Sequence, residues 1–279
     1  MKTRSLILYV IPLLFSVTSC GSNEGPAKKE YFTLWNENVS TSLTTLKNFV
    51  NDVTDEKSKN FIPVEDRIAT FDMDGTLIDS TGLWHEIDAN FFKKRGMEIP
   101  NDYAQKIVHL GLKEAARFTK LEYGIKESEQ EIMDEWHQMS LDMYRKDVQL
   151  KEGALELLEY LKNNNIPMAI ATANDDQLYM PCIERLGIGK YFDFIADVNN
   201  VKEGKHSAKI YEYLADKMAT SKENTLVIED MPTCVKTAYT SGFVTVAVYD
   251  NASKAFDEEK RSNSDLFVNN LKELLNALK

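Results

Sequence analysis

The chain has 279 residues, room for one large domain or two modest ones. Hydrophobic residues are 43% and charged residues 28%, which excludes a disordered or fibrous chain, and three cysteines exclude a disulfide scaffold. Asp and Glu outnumber Lys and Arg by 44 to 33, a net charge of −11, so a role in gripping nucleic-acid phosphates is not expected.

Lys2 and Arg4 precede an apolar run of 12 residues from Leu6 to Val17. That run is too short to span a bilayer and suits the core of a signal peptide. Val17-Thr18-Ser19-Cys20 follows, which resembles a bacterial lipobox, where the cysteine is diacylated and becomes the first residue of the mature chain. Residues 1–19 therefore read as a lipoprotein signal peptide, with Cys20 as the lipidation site. The alternative is an ordinary secretory signal with an incidental cysteine. Residues 20–34 are a tether, poor in apolar side chains over Gly21–Glu30. The expected location is the bacterial cell envelope, periplasmic or outer surface, reached by export and held by the lipid. An acidic surface is not drawn to anionic headgroups, so the acyl chains must do the anchoring.

Leu43, Leu46, Phe49, Val50 and Val53 recur at helical spacing. Arg67–Phe71 reads as a buried strand that runs into the turn-forming Asp72-Met73-Asp74-Gly75-Thr76. From Gly82 to Val148 the pattern is helical. Its Met133, Trp136, Met139 and Met143 stripe reads as core packing, and His109 and His137 read as ordinary surface or core residues. A helix is expected over Glu152–Lys162, strands over 167–172, 194–197, 225–230 and 244–248, and a helix over Lys209–Met218. Near-continuous apolar strands alternating with helices imply an α/β class, a doubly wound, Rossmann-like parallel sheet. An inserted α-helical cap divides it, so residues 35–81 and 149–279 form the core and 82–148 the cap. Both crossings fall beside the first strand's loop, and two short connections there can serve as a hinge.

Chemistry in open parallel sheets gathers at the carboxyl ends of the strands. Asp72 and Asp74 follow the first strand and Thr172 closes the second. Lys205 lies in Glu203-Gly204-Lys205-His206-Ser207, and Glu229 and Asp230 end a later strand. Two acid pairs, a hydroxyl and a lysine suit magnesium-assisted phosphoryl transfer. A carboxylate can attack phosphorus, a second can move a proton, and a hydroxyl and an ammonium can hold the charged oxygens. Lys202 and Lys209 compete with Lys205, which Gly204 favours because glycine lets the loop approach an anion. Asn174 and Asp175 suit a cap for the following helix, with Asn174 also a candidate substrate ligand. Lys113, beside Gly111 in the cap, is another candidate, weighed against an ordinary solvated lysine.

In order and spacing, Asp72-Met73-Asp74-Gly75-Thr76-Leu77, Thr172, Gly204-Lys205 with Ile210-Tyr211, and Ile228-Glu229-Asp230 resemble the four motifs of the haloacid dehalogenase-like hydrolases. Aspartate at 74 and a helical cap are similar to the β-phosphoglucomutase and phosphoglycolate phosphatase branch. The resemblance implies a magnesium-dependent phosphatase of small phosphate monoesters such as sugar phosphates. Asp72 is then the nucleophile, Asp74 the acid and base, and Thr172 and Lys205 hold the phosphoryl group. Asp72, the Asp74 carbonyl, Asp230 and Glu229 are the implied metal ligands, and Thr172, Asn174, Lys205 and Lys113 the substrate contacts. His206 replaces the family's usual proline, and Trp84, beside His85, stands where a cap histidine is often found. A sugar-phosphate mutase shares these core residues, and a non-catalytic binding lipoprotein is a third reading. The expected partners are a small phosphorylated metabolite and, through the lipid, a membrane; a monomer is expected. In the family's sheet order the first strand separates the helices carrying Cys182 and Cys234, so both thiols are expected to be free and buried.

Overall fold

The computed structural model describes residues 55–59, 62–63, 67–107 and 110–279. The signal peptide, Cys20, the tether, the helix expected over residues 43–53 and His109 lie outside the described residues.

Six strands form one wholly parallel sheet in the order β5-β4-β1-β6-β7-β8. They are β1 (Ile68–Asp72), β4 (Met168–Thr172), β5 (Phe194–Asp197), β6 (Thr225–Glu229), β7 (Val244–Val248) and β8 (Leu266–Val268). Every residue of β1 and β4 is buried, as expected for strands covered on both faces. Helices cover both faces: α5 (Ala154–Asn163), α6 (Asp176–Leu186), α7 (Val198–Val201), α8 (Lys209–Lys217), α9 (Pro232–Thr240), α10 (Asp257–Ser262) and α11 (Leu271–Leu278). Leu157, Leu158, Leu274 and Leu275 pack with β1 and β4 side chains in one cluster, while Ile210, Tyr211 and Leu214 build another with Val227. This is the doubly wound arrangement expected from the pattern. Five of the six strands fall within one residue of their expected bounds.

Two further strands, β2 (Ile78–Asp79) and β3 (Gln149–Leu150), pair antiparallel where the helical insertion leaves and returns. Between them lie α1 (Thr81–Lys94), α2 (Tyr103–Ile107), α3 (Leu112–Tyr123) and α4 (Glu129–Lys146). Ser128 starts α4 with a reciprocal capping box. Its hydroxyl accepts from the Glu131 N–H at 3.2 Å and its own N–H donates to the Glu131 carboxylate at 2.8 Å. The inserted helices own an apolar cluster of Ile87, Phe91, Phe92, Tyr103, Ile132, Trp136 and Met143, with Met133 and Met139 packed against it. The methionine and tryptophan stripe is thus core packing. Arg95 closes it from outside, stacked 3.6 Å over the Phe91 ring and paired with Glu127 and Glu135 at 2.7 and 2.6 Å.

The return crossing departs from the expected hinge. Helix α4 begins among the inserted helices, but Leu141 and Tyr144 near its end, and Val148 just beyond it, belong to the cluster that includes Met73, Leu77 and Ile170. One continuous helix therefore joins the two apolar clusters. Arg185 of α6 fastens its last turn by donating to the Tyr144 carbonyl at 3.2 Å and to the Val148 carbonyl. Cys182 and Cys234 are both buried and free, on α6 and α9.

Candidate active site

Strand β1 lies between β4 and β6, so the chain order reverses beside it and opens a crevice at the carboxyl edge. Asp72, Thr172 and Glu229 are the last residues of β1, β4 and β6, and all three are buried. The apolar runs before them set their positions, because each strand must bury its length and ends where polar residues begin.

Lys205 enters from the loop after α7 and is itself buried. Its Nζ sits 2.5 Å from Asp72 Oδ1 and also pairs with Glu229 Oε1. Glu229 is occupied on both oxygens. Oε1 also accepts from Tyr211 at 3.0 Å, and Oε2 accepts the N–H groups of Asp230 and Met231 at 3.0 and 3.2 Å. Glu229 therefore holds Lys205 and shapes the strand end. Burial alone would lower the Lys205 pKa, but Asp72 and Glu229 raise it well above the usual lysine value, so the ammonium is locked in its charged form. Asp72 is pushed up to about 7 by burial and by Glu229, against the pull of Lys205.

Among the described residues, Asp72, Glu229 and Asp230 bring carboxylate oxygens within 4.8 Å of one another. Burial, then Asp72, Glu229 and Asp250, raise the Asp230 pKa well above the ordinary aspartate value. One buried ammonium faces three buried carboxylates, and Asp72 Oδ2 has no hydrogen-bond partner. A buried oxygen left bare beside like charges is costly unless a cation meets it. Gly75 fits the same picture. With φ of +81°, it lets the loop pass so closely that a Cβ would lie 2.5 Å from Asp230 Oδ2. An oxygen-rich site of this kind suits a hard divalent cation.

Asp74 points into a different set of partners. Its Oδ1 accepts from Ser80 Oγ at 2.7 Å and from the Tyr144 hydroxyl, and its Oδ2 accepts from Asn174 Nδ2 at 2.7 Å. Burial raises its pKa, and the hydrogen bonds from Ser80 and Tyr144 hold it back. Thr172 Oγ1 accepts the Asn174 N–H at 3.1 Å, which leaves its hydroxyl proton free to donate. The pair after Thr172 thus divides its roles: Asp175 caps α6 through the Leu178 N–H, while Asn174 turns to Asp74.

Of the three candidate lysines, Lys205 reaches the strand ends, Lys209 pairs with Glu203 at the surface, and Lys202 is exposed. Lys113 is exposed in the first turn of α3 and makes no hydrogen bond or ion pair with the cluster. Trp84 and His85 are exposed on α1. Sequence reasoning missed Ser80, Tyr144 and the pair Lys151–Asp250. Lys151 donates to the Gly75 carbonyl at 2.7 Å and to Asp250 Oδ2 at 2.6 Å, so it ties down the loop that carries Asp74. Tyr144 had one usable signal: a hydroxyl on the apolar face of a helix needs a buried partner.

A family model described as "Haloacid dehalogenase-like hydrolase" matches residues 69–248. A phosphorylated carbohydrates phosphatase of Thermotoga maritima is 26% identical over 62% of this chain and 80% of its own length. A phosphoglycolate phosphatase of Photorhabdus laumondii is 26% identical over 76% of this chain and 92% of its own. A solved Thermotoga maritima structure, named only provisionally as a β-phosphoglucomutase, aligns with a TM-score of 0.68 and 26% identity, covering 76% of this chain and 98% of that one. With four motifs meeting at one sheet edge and this match across most of the described residues, the chain belongs to the haloacid dehalogenase-like hydrolases and is an enzyme.

Proposed function

We propose that the chain is a magnesium-dependent phosphatase of small phosphate monoesters, acting through an aspartyl-phosphate on Asp72. The observation that carries this reading is the Asp72 carboxylate, with Oδ1 on Lys205 and Oδ2 bare among buried acids. Asp72 and Asp230 would hold the metal, with the Asp74 carbonyl, and Glu229 behind them. When bound, magnesium supplies positive charge that offsets repulsion between the acids and a phosphate dianion.

Asp72 attacks phosphorus, the bond to the ester oxygen breaks, and Asp74 gives that oxygen its proton. Asp74 then takes a proton from water as water attacks the acyl phosphate, which releases phosphate and frees Asp72. Lys205 and the Thr172 hydroxyl hold the phosphoryl oxygens. Asn174 already serves Asp74, so substrate contact is a secondary role for it. Lys113 would contribute from the helical insertion. Substrates of sugar-phosphate or glycolate size are supported by the names of the curated relatives.

The test is release of inorganic phosphate from a panel of phosphorylated sugars and small acids. Asp72→Asn keeps the size but loses the charge, and is expected to abolish release and covalent capture of phosphate. Wild-type turnover in that variant, or full activity in excess chelator, removes the mechanism. A mutase reading is favoured by the Thermotoga maritima structure. Incubation with a hexose 1-phosphate separates the two: free phosphate marks a phosphatase, an isomeric sugar phosphate a mutase.

The charged start, apolar run and small residues before Cys20 support export and lipid anchoring to a bacterial envelope. Labelling with a radioactive fatty acid that persists in Cys20→Ser refutes that anchor.

A further inference from the structure

We propose that Tyr144 is a positioning residue that, with Asn174, fixes the carboxyl plane of Asp74 for proton transfer to the leaving oxygen. The inference rests on the reading of Asp74 as the acid of the reaction.

Tyr144 is 1% exposed and fixed at both ends. Its carbonyl is held by Arg185 Nη2 at 3.2 Å and Nε at 3.4 Å, and its ring packs in the cluster that holds Met73 and Leu77. Its hydroxyl donates to Asp74 Oδ1 and accepts from Asn174 Nδ2 at 3.2 Å. The same Asn174 amide donates to Asp74 Oδ2 at 2.7 Å. Tyrosine, asparagine and aspartate therefore close a ring of hydrogen bonds, and one amide group touches both the far oxygen of the acid and the hydroxyl on its near oxygen.

The ring constrains more than distance. Ser80 alone could hold Oδ1 at 2.7 Å while the carboxyl group rotated about its Cβ–Cγ bond. Adding Asn174 on Oδ2 and Tyr144 on Oδ1, with those two bonded to each other, leaves one orientation that satisfies all the groups. In the step it serves, the O–H bond of protonated Asp74 breaks as the leaving oxygen gains that proton and the P–O bond to it is lost to Asp72. The direction of that O–H decides whether the transfer coincides with bond breaking. Tyr144 touches neither phosphorus nor the leaving group and acts through Asp74. Because Arg185 pins its backbone to α6, it stays on Asp74 whatever the outer helices of the insertion do.

The experiment measures kcat/KM for a series of phosphate monoesters, from p-nitrophenyl phosphate through phenyl phosphate to a sugar phosphate. Good leaving groups depart without a proton and poor ones need it. Tyr144→Phe keeps the ring and is expected to lose roughly 10- to 100-fold on the sugar phosphate but less than about threefold on p-nitrophenyl phosphate. Asn174→Ala should show the same tilt. Asp74→Asn should tilt furthest, and Leu141→Ala, three residues before Tyr144 on α4 and with no polar group to offer Asp74, should lower all esters alike or not at all. A uniform loss across the series in Tyr144→Phe, or wild-type rates throughout, overturns the positioning role while Asp74→Asn still tilts. If Asp74→Asn shows no tilt, the reading of Asp74 as the acid fails, and the role of Tyr144 with it.

Discussion

Gly75→Ala tests the close approach at the centre of the site. The backbone at Gly75 has φ of +81°, where an alanine pays about 1–2 kcal/mol. The new Cβ would lie 2.5 Å from Asp230 Oδ2, 2.8 Å from its Cγ and 3.1 Å from Thr81 Cγ2. That is about 1 Å inside ordinary van der Waals contact. Asp230 is buried, and its Oδ1 accepts from Thr76 Oγ1 at 3.3 Å, so the carboxylate has little free room to retreat. Relief must come from the Asp230 carboxylate or the loop that carries Asp74, and a misplacement near 1 Å costs on the order of 100-fold in rate. We expect a melting temperature lower by roughly 3–6 °C, kcat/KM lower by about 100-fold, and a higher magnesium requirement. Gly82→Ala is the control: nothing lies within 4 Å of its Cβ position and it sits in α1, so it should melt at or above wild type. Thermal melts and phosphate release against magnesium concentration decide the matter. A Gly75→Ala enzyme with wild-type metal dependence and rate would show that the approach of Gly75 to Asp230 is irrelevant to the site.

Asp88 is 9% exposed on the inward face of α1, and burial pushes its pKa from 3.8 up to about 7. The folded state thus holds a proton that the unfolded chain releases, so this residue's contribution falls as pH rises from about 4 to 7, with a ceiling of about 4 kcal/mol. Asp88→Asn should gain stability relative to wild type across that window, and a pH-independent difference in denaturant midpoints would refute it. Lys205→Met leaves Asp72 and Glu229 without their shared ammonium and is expected to cost about 3–5 kcal/mol and nearly all activity. Added magnesium should raise its melting temperature more than that of wild type; equal shifts would count against the charge argument.

What the sequence displayed best were residues that end apolar runs. Asp72, Thr172 and Glu229 each end a strand whose length the core dictates, and Asp230 follows one, so one-dimensional spacing carries three-dimensional proximity. Lys205 was legible through its glycine neighbour, although choosing among three lysines needed the fold. Tyr144 was hidden because helical periodicity assigned its face to the core, and its partner Asp74 lies 70 residues away. Lys151 and Asp250 resemble surface residues in any local window, and 99 residues separate them. Strand β8 has only three apolar residues between Ser264-Asp265 and Asn269-Asn270, too short a run to stand out. Lys113 lies exposed in the first turn of α3, on the inserted helices and not at a strand end, so the strand pattern carries no information about its role.

The two crossings of the helical insertion share a further anchor. Asp250 Oδ2 accepts from Thr81 Oγ1 at 3.2 Å, where the chain departs into α1, and from Lys151 Nζ at 2.6 Å, where it returns. Asp250 is 2% exposed, and its other oxygen accepts the Ala252 N–H at 2.9 Å, so it is fixed by its own loop. Lys151 then reaches the Gly75 carbonyl, which joins both crossings to the loop of Asp72 and Asp74. A hinge needs backbone that can change its dihedral angles without breaking buried polar contacts. Here the departure is tied by a hydrogen bond to a buried carboxylate, and the return is tied by an ion pair and preceded by a helix whose last turn packs in the core. Motion of the inserted helices relative to the sheet would therefore bend α4 upstream of Leu141, which leaves Tyr144 on Asp74, or break the Asp250 contacts, which acts through Lys151 on the loop that carries Asp74.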